Sequence, residues 1–304
     1  MYRGRFAPTP SGPLHFGSLV AALGSYLDAR KNGGTWQVRI DDIDSPRVAQ
    51  GATDAILRCL ERFGLQWDGP IILQSQRMGA YHSALHALRR QELIYPCTCS
   101  RKEVSDAGVA GTDGPVYPGT CRSNTRDSQR NARALRIIVP DVEIAFDDVV
   151  QGRVSQNLSR AIGDFVLYRT DRVYAYHLAC VTDDAEQGIT DVVRGADLVD
   201  STVRQIYLQQ VLGFSTPRYA HLPVALNASG EKLSKQTHAA DISALAIVPT
   251  LVTALHFLGQ QVNGDFSSAR DLLRHASGAW TPVRIPRVVV AAWRRWRGSY
   301  DRSG

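Results

Sequence analysis

The stretch Arg5-Phe6-Ala7-Pro8-Thr9-Pro10-Ser11-Gly12-Pro13-Leu14-His15-Phe16-Gly17-Ser18 reads as the end of a short buried strand, a Pro/Gly turn and the start of an apolar helix. The helix is predicted over residues 17–31, with Leu19, Val20, Leu23, Tyr26 and Leu27 as its apolar side chains and Gly33-Gly34 as its stop. A turn of small residues that opens a helix leaves backbone N–H groups and the positive helix end free, a setting that suits phosphate. His15 and Ser18 add side-chain donors at that mouth. Far along the chain, Lys232-Leu233-Ser234-Lys235 sets two lysines three apart in a loop. Cations there could hold a triphosphate and the charge that grows on it during phosphoryl or nucleotidyl transfer.

Outward from the first stretch the chain alternates. A strand is predicted at 36–40, ending in an acidic turn. An amphipathic helix follows at 49–63, with Ile56, Leu57, Leu60 and Phe63 on one face, then a strand at 71–73 and a helix at 78–91. Such alternation argues for an α/β fold with a parallel sheet and ligands at the carboxyl ends of its strands. From Tyr95 to about Asp171 the character changes to short strand-like runs (134–139, 142–146, 153–155, 165–168) split by turns, which reads as an insertion between two halves of the sheet. Residues 108–130 are rich in Gly, Ser, Thr, Asn and charge and read as a mobile loop. The alternation resumes at 174–182, 189–193 and a helix at 201–212, and after 241 the chain reads helical at 251–258, 269–275 and 286–297.

The chain has 304 residues, 44% of them hydrophobic, enough for one large domain and a small one with a sizeable core. Its formal net charge of +6 favours a polyanionic partner. Apolar runs stay well short of the ~18 residues a membrane helix needs, so no membrane association is expected. Met1-Tyr2-Arg3-Gly4 leads straight into a strand, which is expected to leave no room for a signal peptide. Five cysteines, an odd number, do not read as a disulfide scaffold. A cytoplasmic monomer is the expectation.

Taken together and in this order, His15-Phe16-Gly17-Ser18 and Lys232-Leu233-Ser234-Lys235-Gln236 resemble the HIGH and KMSKS motifs of class I aminoacyl-tRNA synthetases. Residues 5–12, Arg39-Ile40-Asp41-Asp42-Ile43-Asp44 and Val193-Arg194-Gly195-Ala196-Asp197-Leu198 resemble the glutamyl branch, so that the likeness covers residues 3–240. With 304 residues the chain is similar to the glutamyl-queuosine tRNA(Asp) synthetase family, a truncated paralogue without an anticodon-binding domain. The resemblance implies a ligase that activates glutamate with ATP and attaches it to the queuosine base in the anticodon of tRNA(Asp). The alternatives are a truncated glutamyl-tRNA synthetase charging a tRNA 3′ end and a binding protein that has kept the fold alone. The implied architecture is a Rossmann-type sheet with helices on both faces in two halves, 1–94 and 172–240. An inserted α+β acceptor-type subdomain occupies 95–171 and a short helical region 241–304.

The same resemblance implies the site. His15, Lys232 and Lys235 would be catalytic, and His15, Gly17, Ser18, Lys232, Ser234 and Lys235 would hold ATP with Mg²⁺ on its phosphates. Glutamate has two carboxylates and an ammonium group. Carboxylates call for Arg, whose fork binds them in bidentate fashion, and Arg5 and Arg194 are the candidates. The plain alternative pairs Arg194 with Asp191 or Asp197. Asp41 stands where glutamyl members usually carry Glu for the ammonium, one methylene shorter and within reach of a bridging water. Tyr176 matches a substrate-bonding tyrosine, and Phe6, Ala7, Pro8, Thr9 and Ser11 line the same wall.

Cys97-Thr98-Cys99 and Cys121 gather three thiols in the loop-rich insertion, a pattern that suits structural Zn²⁺ because the metal supplies folding energy that the loop lacks. Three free thiols are the alternative. No His lies between His86 and His177 to serve as a fourth ligand, and the resemblance supplies Tyr117 in that place. Cys59 and Cys180 sit in apolar contexts and read as core. At the C-terminus, Arg284, Arg287, Arg294, Arg295, Arg297 and Arg302 with Trp280, Trp293 and Trp296 suit either nucleic acid or a helix packed on the body.

Overall fold

Strand β1 (Arg3–Phe6) pairs in parallel with β2 (Thr35–Ile40), and β2 with β3 (Ile72–Leu73), in a computed structural model that describes residues 1–112, 114–123, 134–226, 241–288 and 290–292. Helix α1 (Phe16–Lys31) crosses from β1 to β2, and α2 (Ala52–Arg62) and α3 (Met78–Arg90) follow. Gly4, Arg5 and Phe6 are buried in succession, as are Val38, Arg39 and Ile40, the pattern of parallel strands covered on both faces. Helix α1 buries Phe16, Leu19, Val20, Leu23 and Leu27 together with its small residues, because it lies between the sheet and the C-terminal helices.

A second parallel pair, β11 (Asp191–Gly195) with β12 (Arg218–Leu222), lies beside β1, where the Thr190 N–H donates to the Arg3 carbonyl at 3.0 Å. Helices α7 (Tyr176–Glu186) and α8 (Val199–Leu212) flank it. Between α3 and α7 the chain forms an antiparallel sheet in the order β10 (Val166–Tyr168), β7 (Ala134–Ile137), β4 (Ile94–Cys97), and a hairpin of β8 (Glu143–Asp148) with β9 (Gly152–Asn157). Its apolar residues share one cluster with α3, α7, α8 and β12: Ile137, Ile144 and Leu167 pack with Leu88, Leu178, Val203 and Tyr219. These antiparallel elements and the second parallel pair are therefore joined through a common core.

Two expectations are corrected. Within the predicted helix 286–297 the described residues are not helical: Val290–Ala292 is a strand, β14, parallel to β13 (Val224–Leu226), and residues 289 and 293–297 lie outside the described residues, as do Trp293, Trp296 and Arg302. The run of valines at 288–290 favours a strand, and β13 offers a free edge for it. Trp280 packs on the body, its indole N–H donating to Asp28 on α1 at 3.0 Å. The described part of 108–130 carries short elements: β5 (Ala110–Gly111) and β6 (Gly114–Pro115) pair antiparallel, and a short helix, α5 (Thr120–Ser123), follows. That stretch docks on residues 161–163 through Thr112 N–H to the Ala161 carbonyl and a bridge from Tyr117 to Gly163. Gly163, at φ 72°, leaves no room for a side chain, since a Cβ would lie 3.0 Å from the Tyr117 backbone. Residues 124–130 lie outside the described residues. Among the described residues no helix is long and apolar enough to cross a membrane.

The sheet and α7 are held by buried charge. Arg39 donates to Asp41 at 2.8 Å, Asp184 at 2.7 Å and Gln187 at 3.0 Å, and Arg5 donates to both oxygens of Asp184 at 3.1 Å. Burial alone would push the Asp184 carboxyl up; Arg5 and Arg39 outweigh it and hold the group well below the usual carboxylate range. Cys180 lies within this network, its sulfur 3.7 Å from Arg39 Nη2, and not in an apolar setting. Asp184→Asn should cost about 3–5 kcal/mol, because it leaves two guanidiniums facing a neutral amide in the core. A depressed folded pKa adds stability that is lost as pH falls below the ordinary value of about 3.9, so the variant should also show a shallower acid loss in urea titrations. An unchanged urea midpoint would contradict both expectations.

Candidate active site

The turn after β1 opens α1 at His15, whose extended backbone and ring cap the helix: the Ser18 N–H donates to Nδ1 at 3.3 Å and the Ser18 hydroxyl lies 3.1 Å from Nε2. Gly12, at φ 145°, takes the turn through a backbone conformation that favours glycine. No acidic residue stands in the first turn of α1 to oppose the positive helix end.

Beside this turn lies a cavity of about 670 Å³. Pro8, Thr9, His15, Gly17 and Ser18 form one side; Gly195 at the end of β11, Asp197 just after it, and Val224 of β13 form the other. The cavity thus joins three sequence motifs at the carboxyl ends of parallel strands. Lys232, Ser234 and Lys235 lie outside the described residues. The chain on both sides of them borders the cavity: Val224 and Ala225 line it, and Asp241 pairs with His15 while the Ile242 N–H donates to the Leu14 carbonyl at 3.2 Å.

The candidate glutamate residues fall into three settings. Phe6, Pro8 and Thr9 line the cavity, with Ala7 half-buried between them. Arg5 and Asp41 are buried in the ionic network described above, so Asp184 takes Arg5 and Arg39 takes Asp41. Burial pushes the Asp41 carboxyl up to about 6 against the pull of Arg39. Tyr176, at the start of α7, is 36% exposed, while its hydroxyl feels the charges of Arg194, Asp41 and Arg5. Burial raises that phenol further above its ordinary value, so it stays a neutral hydrogen-bonding group.

Arg194 is different. Its Nε donates to His221 Nε2 at 3.1 Å, and its Nη2 donates to the Thr202 hydroxyl at 2.7 Å and the Leu198 carbonyl at 3.4 Å. Its Nη1 is buried without a hydrogen-bond partner among the described residues. Asp191, one partner weighed from the sequence, is bound instead by Arg218 at 2.6 Å. Burial pushes His221 below its ordinary pKa, so the ring beside Arg194 is neutral. Arg39, Asp184 and His221 were not singled out from the sequence. Arg39 stands two residues before Asp41 on one strand face, and two adjacent acids inside an apolar helix, Asp183-Asp184, could have signalled a buried partner.

The sulfurs of Cys97, Cys99 and Cys121 lie within 4.8 Å of one another. Tyr117 Oη is 3.5 Å from the sulfurs of Cys97 and Cys99, and Cys99 and Cys121 are 3.5 Å apart. Zn–S bonds of about 2.3 Å around a tetrahedral ion put sulfurs about 3.8 Å apart, so the four donors fit one Zn²⁺. Arg136 lies over the Tyr117 ring at 3.9 Å and donates to the Cys97 sulfur at 3.3 Å, a cation beside groups that turn anionic on binding metal.

Residues 1–246 match the family described as tRNA synthetases class I (E and Q), catalytic domain. The chain is 54% identical over 290 residues to the glutamyl-Q tRNA(Asp) synthetase of Dechloromonas aromatica, covering 94% of this chain and 96% of that protein. It is 50% identical over 291 residues to the protein of the same name from Pseudomonas aeruginosa, covering 95% and 97%. Among solved structures, the glutamate-tRNA synthetase of Elizabethkingia anophelis superposes with a TM-score of 0.80 at 24% identity, over 96% of this chain and 68% of that one, a likeness of fold.

Asp41 supplies a direct check on the site's electrostatics. Carbon-13 NMR of aspartate carboxyls should show one group titrating near pH 6, and Asp41→Asn should remove it. A spectrum in which every carboxyl titrates below 5, in the range of about 3.5 ± 1.2 common in folded proteins, would contradict the buried setting.

Proposed function

The chain belongs to the class I tRNA synthetase family of the E and Q type, and from that premise we propose that it activates glutamate with ATP and transfers it to the queuosine base in the anticodon of tRNA(Asp). One observation carries the choice of amino acid: Arg194 is buried, its three partners are uncharged, and one of its donors is unspent. A buried cation in that state calls for an anion, and the γ-carboxylate of glutamate answers it where the amide of glutamine would not.

ATP, with Mg²⁺ on its phosphates, occupies the cavity beside His15, Gly17 and Ser18. The glutamate α-carboxylate attacks the α-phosphorus, the bond to pyrophosphate breaks, and glutamyl-adenylate forms. Charge growing on the phosphorus oxygens and on pyrophosphate is met by His15, by the start of α1 and by Lys232 and Lys235, with Ser234 beside them. Asp41 takes the ammonium, Tyr176 donates to the substrate, and Phe6, Ala7, Pro8 and Thr9 wall the cleft. Arg5 supports this cleft through the network around Asp184. A hydroxyl of the queuosine cyclopentenediol then attacks the activated carbonyl, loses its proton and releases AMP, leaving an ester. The enzyme is a ligase of the cytoplasm, with the net charge of +6 suited to tRNA.

Zn²⁺ would be held by Cys97, Cys99, Cys121 and Tyr117 in an inserted acceptor-type subdomain at 95–171, between the sheet halves 1–94 and 172–240. Bound there, it supplies folding energy to a segment with few apolar residues. Purified protein should carry about one Zn²⁺ per chain by metal analysis, in keeping with a closed four-donor site. Cys121→Ser should raise protease cleavage within residues 108–130 and lower transfer to tRNA more than adenylate formation. Metal-free protein with three freely titrating thiols would overturn the assignment.

Pyrophosphate exchange into ATP tests the function. Glutamate should support it without tRNA, because Asp41 and Arg194 are already held in hydrogen bonds; glutamine and aspartate should be poor substrates. Labelled glutamate should then pass to queuosine-containing tRNA(Asp) and not to the same tRNA lacking queuosine. Transfer to a 3′ end in place of the queuosine base would establish the ordinary synthetase instead.

A further inference from the structure

Behind Arg194 stands a buried chain of hydrogen bonds that begins in the insertion. Asp148, the last residue of β8, and His221, in β12, both have fully buried side chains. Asp148 Oδ1 accepts three backbone N–H groups: Val150 at 3.0 Å, Gln151 at 2.9 Å and His221 at 3.1 Å. Its Oδ2 lies 2.6 Å from His221 Nδ1. A carboxylate in this position accepts on both oxygens, so Nδ1 carries the ring proton and Nε2 is left as an acceptor. That acceptor receives the Arg194 Nε–H at 3.1 Å. Thr202 completes the hold: its hydroxyl donates to the Leu198 carbonyl at 3.1 Å and accepts from Arg194 Nη2 at 2.7 Å. Around these groups stand Tyr219, stacked on His221 with ring centres 6.0 Å apart and 5.4 Å beneath the Arg194 guanidinium, and Phe146 of β8. The charge of Asp197 also reaches His221.

Resting on the function proposed above, we infer that Asp148, His221 and Thr202 are positioning residues that fix Arg194 as a receptor for the substrate side-chain carboxylate and so set the preference for glutamate over glutamine. The arrangement orients Arg194 through neutral acceptors. A carboxylate placed directly against Arg194 would orient it equally well and cancel the charge on which the preference depends. The carboxylate stands one residue back, where it sets the tautomer of His221 and leaves the guanidinium's charge for the ligand.

Asp148→Asn tests this with a one-atom change. Three backbone donors require the amide oxygen on the Oδ1 side, so the amide NH₂ faces His221 Nδ1. The ring must then accept at Nδ1 and carry its proton at Nε2, donor against donor with Arg194 Nε. In pyrophosphate exchange the KM for glutamate should rise roughly tenfold, the size of one lost charged hydrogen bond, with the KM for ATP and kcat at saturating glutamate nearly kept. The ratio of kcat/KM for glutamate to that for glutamine should fall by a similar factor. Thr202→Val should act in the same direction and Thr202→Ser should restore the wild-type values; this pair decides the matter if Asp148→Asn does not fold. Folded variants with an unchanged KM and an unchanged glutamate-to-glutamine ratio would overturn the relay. So would a joint loss of kcat and ATP affinity, which marks general damage. Wild-type protein that gives no exchange with glutamate would remove the function itself, a failure distinct from that of the relay.

Discussion

Arg39 is a fully buried guanidinium at the carboxyl end of a central strand, and the architecture is arranged so that it can exist there. An unpaired charge at that depth would cost far more than the net stability of a domain allows. Asp41 comes from its own strand end, Asp184 and Gln187 from the end of α7, and Asp183 stands 3.7 Å away. Arg5 shares Asp184 from the neighbouring strand, and Arg77 and Tyr81 take Asp183 from the side of α3. One set of charges thus ties β1 and β2 to α3 and α7, although the residues involved lie far apart in the chain. Such a network need not add much net stability, since its desolvation is costly; it does fix register, because any other pairing leaves a charge unmet.

Two arginines in this molecule illustrate opposite uses of one side chain. Arg39 is neutralised on the spot and serves the frame. Arg194 is held by a neutral ring, a hydroxyl and a carbonyl, and keeps a donor unspent. The difference lies in what was built around each: carboxylates around the first, neutral acceptors around the second, with the supporting carboxylate of Asp148 set behind His221.

The insertion matters to the site for the same reason. It shares its apolar core with α7, α8 and β12, and the end of β8 delivers Asp148 beneath His221. The segment that gathers the cysteines therefore also reaches the residues around Arg194, by way of the hairpin of β8 with β9.

Local pattern determined much of this protein. The Pro/Gly turn before α1, the apolar face of α2 and the alternation of strands and helices are written in side chains a few residues apart, so the sequence alone carried them. The clustering of three cysteines and the order of the motifs were equally legible. The strand at 290–292, within the helix expected at 286–297, was not, because the valines there find their partner in the edge of β13, and an edge exists only once the sheet has formed. Nor could the sequence say that Asp184 would receive Arg5 and Arg39, or that Arg194 would lean on His221 and not on Asp191. Those choices depend on which charges share a buried space, and burial is a property of the assembled chain: only the tertiary structure removes the water that would otherwise make each pairing nearly equal in energy.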